Sequence, residues 1–360
     1  MKKISFLPYT LLALTAQATV HTVSNNPATL AQFNTIQAAV TSAASGDTIY
    51  VHGSPNTYAA FTQTNKQLCI IGPGWTPDKN LPFTAVISGF AVTGIACANS
   101  EYQGLVIDGN TVAINNTKPD NLRFIRNRFA GGSLSINQAN TTYTGYLFEG
   151  NFFDNSSVDA SSSSTYQNFI FQNNIFFENG TVRDGNFSSF NNCVNVLFDH
   201  NLWYGSGTTI RNISNNSVNR FMSFSNNVFV RRNFNTGRVL STTFTNNITF
   251  NCTINNPWVN DGNVNSGGNI ENQDPQMAAQ ASVNAGTNNP IADYSIAAGP
   301  ANNTATDGKD MGLLFDAAGS LNWANSRNSR LPRLFSMNVI TPTVAVGGNV
   351  TVNVDARVSN

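Results

Sequence analysis

Charge is what this 360-residue chain has least of: nineteen Lys and Arg balance nineteen Asp and Glu, and charged residues make up 11% of it. No basic field is present to hold a nucleic acid backbone or an anionic membrane surface, which excludes both as partners. Cysteine is sparse, with Cys69, Cys97, Cys193 and Cys252 alone. An even set permits disulfides in an exported chain, Cys69 with Cys97 being the first pair to test. Small buried thiols are the simpler reading, and the separations fit no metal site. Low charge also marks disordered chains, but 25 Phe and 41% hydrophobic residues exclude that here. After the first residues no apolar run is long enough to span a bilayer.

That first stretch has a targeting pattern. Lys2 and Lys3 precede an apolar run from Ile4 to Leu14, then Ala16-Gln17-Ala18 in the small-x-small form of a signal-peptidase site. Residues 1–18 are expected to be removed, the mature chain to begin at Thr19, and the protein to act outside the cell or at its surface. The Asn-x-Ser/Thr triplets, such as those at Asn140 and Asn155, arise by chance in so Asn-rich a chain and imply sugar only in a glycosylating host.

What is abundant is a repeated phrase, Phe-x-x-Asn-x-aromatic. Its asparagines are Asn127, Asn151, Asn174, Asn201, Asn227 and Asn247, each with Phe three residues before it. Phe129, Phe153, Phe176, Trp203 and Phe229 stand two residues after, until Thr249 breaks the series. A period of 20 to 27 residues predicts stacked coils. Leu122, Tyr146, Phe169, Val196, Met222 and Thr242, two before the Phe, complete an inward-facing pair on each strand. The asparagines are expected to turn the chain in left-handed conformation and to bond to their copies above and below. Their recurrence with the fold's own period makes them structural.

The expected organisation is all-β: a cap over 19–67, roughly nine coils over 68–275, closing loops over 276–335 and a Val-rich ribbon over 336–360 around Gly347-Gly348. In the cap, Ile36, Ala39, Val40 and Ala43 share a helical face, with Asn34 as the expected N-cap, Gln37 in capping-box position and Gly46 as the stop. Such a helix suits the open end of a solenoid. Ile71, Ile87 and Ile107 stand where later coils carry Phe.

These residues together resemble the secreted right-handed parallel β-helix proteins of the pectin-lyase-like superfamily, nearest to a bacterial extracellular group mostly without assigned function. The resemblance is carried by Ile36 to Val51, the Phe-x-x-Asn-x-Phe phrase, and Ser295 to Gly312. It implies the fold and leaves the reaction open, since the same rod serves lyases, hydrolases, epimerases and adhesins. The polygalacturonase-like pattern is not followed: no Asp-Asp pair, Gly-His-Gly or Arg-x-Lys occurs. Val196-Leu197-Phe198-Asp199-His200 is similar to the metal-binding phrase of the pectate-lyase-like members, although Phe198 also belongs to the general repeat. Ser329-Arg330-Leu331-Pro332-Arg333 imitates their arginine motif beyond the coils.

Equivalent positions on successive coils form columns on the outer wall. Two before each Asn the column reads Asp108, Ile125, Glu149, Gln172, Asp199, Ser225, Thr245. Glu149 and Asp199 then lie two coils apart, nominally about 9.6 Å, and are the candidate catalytic carboxylates and metal ligands, with calcium the candidate ion. His200 is the candidate base or acid, and Arg231 completes the catalytic set. Asp154, Glu178, Tyr204 and Arg232 form a candidate sugar-binding patch, with surface ion pairing as the alternative role. Trp203 is read as core, and Asp307 and Asp310 as turn formers. The expected function is binding or cleavage of an extracellular polysaccharide or surface glycan by a monomer. The alternatives are a non-enzymatic adhesin and a calcium-dependent lyase.

Overall fold

The computed structural model describes residues 18–75, 83–115, 118–180, 185–206, 210–214, 217–314, 332–339 and 351–358. Its body is a right-handed parallel β-helix of about nine turns. An eleven-stranded long sheet runs from Val20–Val23 to Val264–Asn265, a second sheet holds eight strands and a third holds six. Val20–Val23 and Thr48–Val51 already pair in parallel in the long sheet, so the first strands of the cap are part of the rod.

The repeat builds this body from within. The Phe124, Phe148, Phe171, Phe198, Phe224 and Phe244 rings form one stack, with centroids 4.4 to 5.2 Å apart. Phe129, Phe153, Phe176, Trp203 and Phe229 form another, in which Trp203 sits fully buried as core. The coil spacing holds the rings nearly parallel and in register. Tyr102 and Ile70, not Ile71, precede the first stack, while Ile107 and Ile87 precede the second. The Asn column is a buried ladder: each backbone N–H and Nδ2 donates to Oδ1 of the next asparagine, from Asn127 through Asn247 and on to Asn269. The left-handed residue is the one before the ladder asparagine, namely Arg126, Gly150, Asn173, His200, Asn226 and Asn246. The ladder asparagine must point inward along the stack, and its neighbour takes the positive φ that makes the corner.

Helix α1, Ile36–Ser42, closes the N-terminal end with Ile36, Ala39 and Val40 buried. Thr35 rather than Asn34 caps it, accepting from Ala38 N at 3.2 Å. Gln37 does not reach back to the cap. It bonds Thr62 N and O instead, covering the edge of strand Phe61–Thr64.

The segment expected to close the far end does something else. Residues 276–314, with the short helix α2 at Gln280–Asn284, run back along the outer face of the second sheet. Met277, Val283, Tyr294, Ile296, Met311 and Leu313 pack there on Phe152, Ile175, Leu202, Val228 and Ile248. Those five residues each follow a ladder asparagine or its equivalent on the outward side, and an apolar outer row needs a cover. In the ribbon, Pro332–Val339 pairs antiparallel with Val352–Val358, beginning earlier than Ser336. Gly347-Gly348, the start of the arginine-like motif at Ser329 and residues 1–17 of the expected signal peptide lie outside the described residues. No described helix is long and apolar enough to cross a membrane.

Candidate functional site

With the second sheet covered, the outer face of the long sheet is left, among the described residues, as an open wall of the rod. Two residues of each strand point outward. One row runs Glu101, Arg123, Leu147, Ile170, Leu197, Ser223, and the other Gln103, Ile125, Glu149, Gln172, Asp199, Ser225. Gln103 therefore holds the place expected for Asp108, which lies in the second sheet beside Ala130. Glu149 and Asp199 are two coils apart as expected, with Gln172 between them.

At the N-terminal end of this wall, Cys69, Glu101, Arg123, Leu147, Asn99 and Asn121 line a cleft of ≈ 500 Å³. Arg123 Nη1 meets Glu101 Oε2 at 3.4 Å. One coil on, burial raises the pKa of the Glu149 carboxyl, opposed by the nearby Arg126 and Arg123 charges. Burial equally lowers that of Arg126, opposed by Glu149. At the other end Phe221 stands at the corner with φ 59°, a left-handed backbone that a bulky residue rarely adopts. Phe221 is 53% exposed, and Val194, at 48%, and Ile170, at 40%, are exposed apolar residues on earlier coils. Equivalent corners hold Asn121, Gly145, Asn168 and Asn195, whose backbones are also left-handed.

Asp199 and His200 lie where the wall meets the returning segment. His200 is 2% exposed, with Nδ1 3.1 Å from Asp199 Oδ2 and Nε2 3.6 Å from Asp307 Oδ1. Asn226 clasps both sides of this seam: its Nδ2 donates to Asp199 Oδ1 at 2.8 Å and Thr306 Oγ1 at 2.9 Å, and its Oδ1 accepts from Thr306 N at 2.8 Å. Asp307 and Asp310 also accept from Lys309 N and Asn303 N, as turn formers do.

The other candidates do not join them. Arg231 Nη1 donates to the Asn284 carbonyl at the end of α2, at 2.7 Å, on the far side of the returning segment. Tyr204 lies beneath that segment, its hydroxyl 3.3 Å from Tyr294 Oη. Asp154, 5% exposed, takes Arg128 Nη2 at 2.6 Å, Asn155 Nδ2 at 2.8 Å and Asn288 Nδ2 at 2.9 Å. Glu178 and Arg232 are buried inside the rod, where Asn186 donates to Glu178 Oε1 at 3.1 Å and accepts from Arg232 Nη2 at 2.7 Å. Neither side chain reaches an outer groove. All four cysteines are free; Cys69 faces Glu101 outside and Cys97 bonds Gln63 O and Thr93 O inside.

A single calcium ion does not fit the expected pair. Calcium–oxygen bonds of about 2.4 Å cannot span carboxylates two coils apart, and Asp199 is already engaged by Gln172, Asn226 and His200. Among the described residues no three of His, Cys, Asp or Glu converge as a metal site would need. The residues that sequence reasoning missed are Glu101 and Arg123, whose signal was their place in an outward column, Arg126, which stands at the left-handed corner before Asn127, and Phe221, which breaks a column of Asn and Gly.

No family model matches this sequence, and no curated protein matches it. Among solved structures, the chain is similar to a crystal structure of pectate lyase Pel9A, at 14% identity and a TM-score of 0.48 over 83% of this chain and 96% of that one. It is also similar to a pectin methylesterase in complex with hexasaccharide VII, at 11% identity and a TM-score of 0.28 over 75% and 98%. At these values neither likeness carries an argument, and the parallel β-helix rests on the chain's own sheet topology.

Proposed function

We propose that this protein binds an extracellular polysaccharide along the open wall of the long sheet, outside the cell that exports it. The observation carrying the reading is the pairing of an apolar row, Leu147, Ile170 and Leu197, with a polar row, Glu149, Gln172 and Asp199, repeated once per coil, with exposed Phe221 at a corner before the next strand of the same sheet. A pyranose ring has the same two-sided character, an apolar C–H face and a rim of hydroxyls. Carboxylates and carboxamides bond the rim, and a ring or aliphatic row takes the face. A polymer can place successive units over successive coils. The near-zero net charge favours neutral or weakly charged chains.

The test is affinity electrophoresis of the purified protein through gels holding neutral and acidic polysaccharides, with Phe221→Ala and Gln172→Ala beside the parent. Retardation by at least one polymer, weakened about tenfold by each substitution, is the expected result. Mobility unchanged by every polymer overturns the reading and leaves the adhesin class.

Cleavage is a second reading, favoured by the Glu149 and Arg126 pair, whose pKa values burial moves toward each other. A screen for reducing ends and for 235 nm absorbance against the same panel checks it: product that Glu149→Gln abolishes while binding persists supports cleavage, and no product from any bound polymer rejects it.

A further inference from the structure

Asp47 is a mostly buried carboxylate, its side chain 8% exposed, at the start of strand Thr48–Val51. Its Oδ2 accepts from Ala44 N at 2.8 Å and lies 3.0 Å from His21 Nε2. Its Oδ1 accepts from the backbone nitrogen of Thr19 at 2.8 Å. Thr48 N bonds the Thr19 carbonyl at 2.9 Å, so the same residue is gripped on both sides and its nitrogen is fixed against the carboxylate. Ala18 and Thr19 are themselves exposed. The small-x-small pattern in residues 16–18 places a cleavage point at the peptide bond that this nitrogen belongs to. One line comes from the residues before Thr19 and the other from the fold after it, and they meet on one atom.

We infer that hydrolysis between Ala18 and Thr19 creates an α-ammonium group for which Asp47 is the receptor, and that this ion pair anchors the first strand of the long sheet. The inference rests on the export reading for the cleavage and on the geometry for the pairing. Water adds across the Ala18–Thr19 amide under an exported-protein endopeptidase: the C–N bond breaks, Ala18 leaves as a carboxylate, and the proton it gives up matches the one the new amine gains. A neutral N–H donor thereby becomes a cation with three donors at the same place. The carboxylate is suited to it: the Thr19 N–H already contributes most to holding the Asp47 pKa below its ordinary value, with His21 and Ala44 adding to it against the cost of burial.

The pairing raises the pKa of the α-amino group above its ordinary value of about 8. Its stabilisation is therefore full below that value in the unfolded chain and is lost as pH rises through the raised value in the folded one. The other titratable groups around it are His21 on the first strand, Cys69 on the strand beyond Thr48–Val51, and Lys66, whose ammonium is held on the Ala43 carbonyl.

Two arms test this. In the first, the full chain is expressed with export and the released protein is measured by intact mass and N-terminal sequencing; a start at Thr19 is expected, and any other start overturns the cleavage. In the second, chains made to begin at Thr19 or at Ala18, which moves the same charge by one residue, are melted with and without Asp47→Asn. At pH 6.5 the Thr19 start is expected to melt about 2 °C above the Ala18 start. That gap should close above about pH 9.5 and be absent from the Asp47→Asn pair. Where Asp47→Asn does not fold, Nα-acetylated protein beginning at Thr19 takes its place and should lose the same 2 °C. Equal melting of the two starts overturns the ion pair whatever the first arm gives.

Discussion

The Asn174 side chain makes four hydrogen bonds, and none of them reaches water. Its Nδ2 donates to Phe148 O at 2.9 Å and Asn201 Oδ1 at 3.0 Å, while its Oδ1 accepts from Asn151 N at 2.8 Å and Asn151 Nδ2 at 3.0 Å. Truncation orphans polar groups on two neighbouring coils, each costing about 1–3 kcal/mol when buried and unpaired. Asn174→Ala is thus expected to lose about 3 kcal/mol in urea denaturation, and Asn174→Asp at least as much at neutral pH, because a carboxylate there would face Asn201 Oδ1. A loss under about 1 kcal/mol would mean that the ladder relaxes around the gap. This ladder was legible in the sequence because its geometry admits one residue type. The left-handed corner beside it was not, since that place accepts Arg126, Gly150, Asn173 and His200 alike. His200 consequently drew attention as a chemical residue while its backbone served as the corner and its ring as part of a seam.

Helix α1 has seven residues, too few to persist in water by itself. Its C-terminal carbonyls are held by a residue far along the chain: Lys66 Nζ donates to Val40 O at 3.0 Å, Thr41 O at 2.8 Å and Ala43 O at 2.7 Å. A cation at this end completes the helix dipole and satisfies acceptors that the helix itself leaves open. Lys66→Met retains the aliphatic stem and removes the ammonium, and is expected to cost about 1–2 kcal/mol. Hydrogen exchange is the discriminating measurement: the amides of Ala39–Ala43 should quicken while those of the central coils stay protected. The helix itself could be read from its apolar periodicity, which depends only on neighbours three and four residues apart. Lys66 could not, because nothing local ties a lysine to a helix that ended more than twenty residues earlier.

At the scale of the molecule, the decisive feature is that one wall of the rod is covered and another left open. The sequence contained the signal for the cover. Phe152, Ile175, Leu202, Val228 and Ile248 are apolar on the side of the strand facing away from the ring stacks, and a strand apolar on both faces is buried on both. The Phe and Asn columns beside it account for the period without it, so the row carries no separate periodic signal. Removing the cover should therefore change association before it changes the rod. A chain ended after residue 275 is expected to keep its parallel sheets by far-ultraviolet circular dichroism, bind a hydrophobic dye, and self-associate in light scattering. Asn226→Ala is the graded version, since it releases Thr306 from Asp199 and leaves the apolar contacts in place. In that variant, limited proteolysis should cut first within residues 300–312, with no dye binding and no dimer. The two variants also separate support from recognition at the open wall: Asp199 is held in its row by Asn226, so loosened polysaccharide retention in Asn226→Ala would tie the clasp to the binding face, whereas retention kept in both would confine binding to the Leu147 to Leu197 row and Phe221.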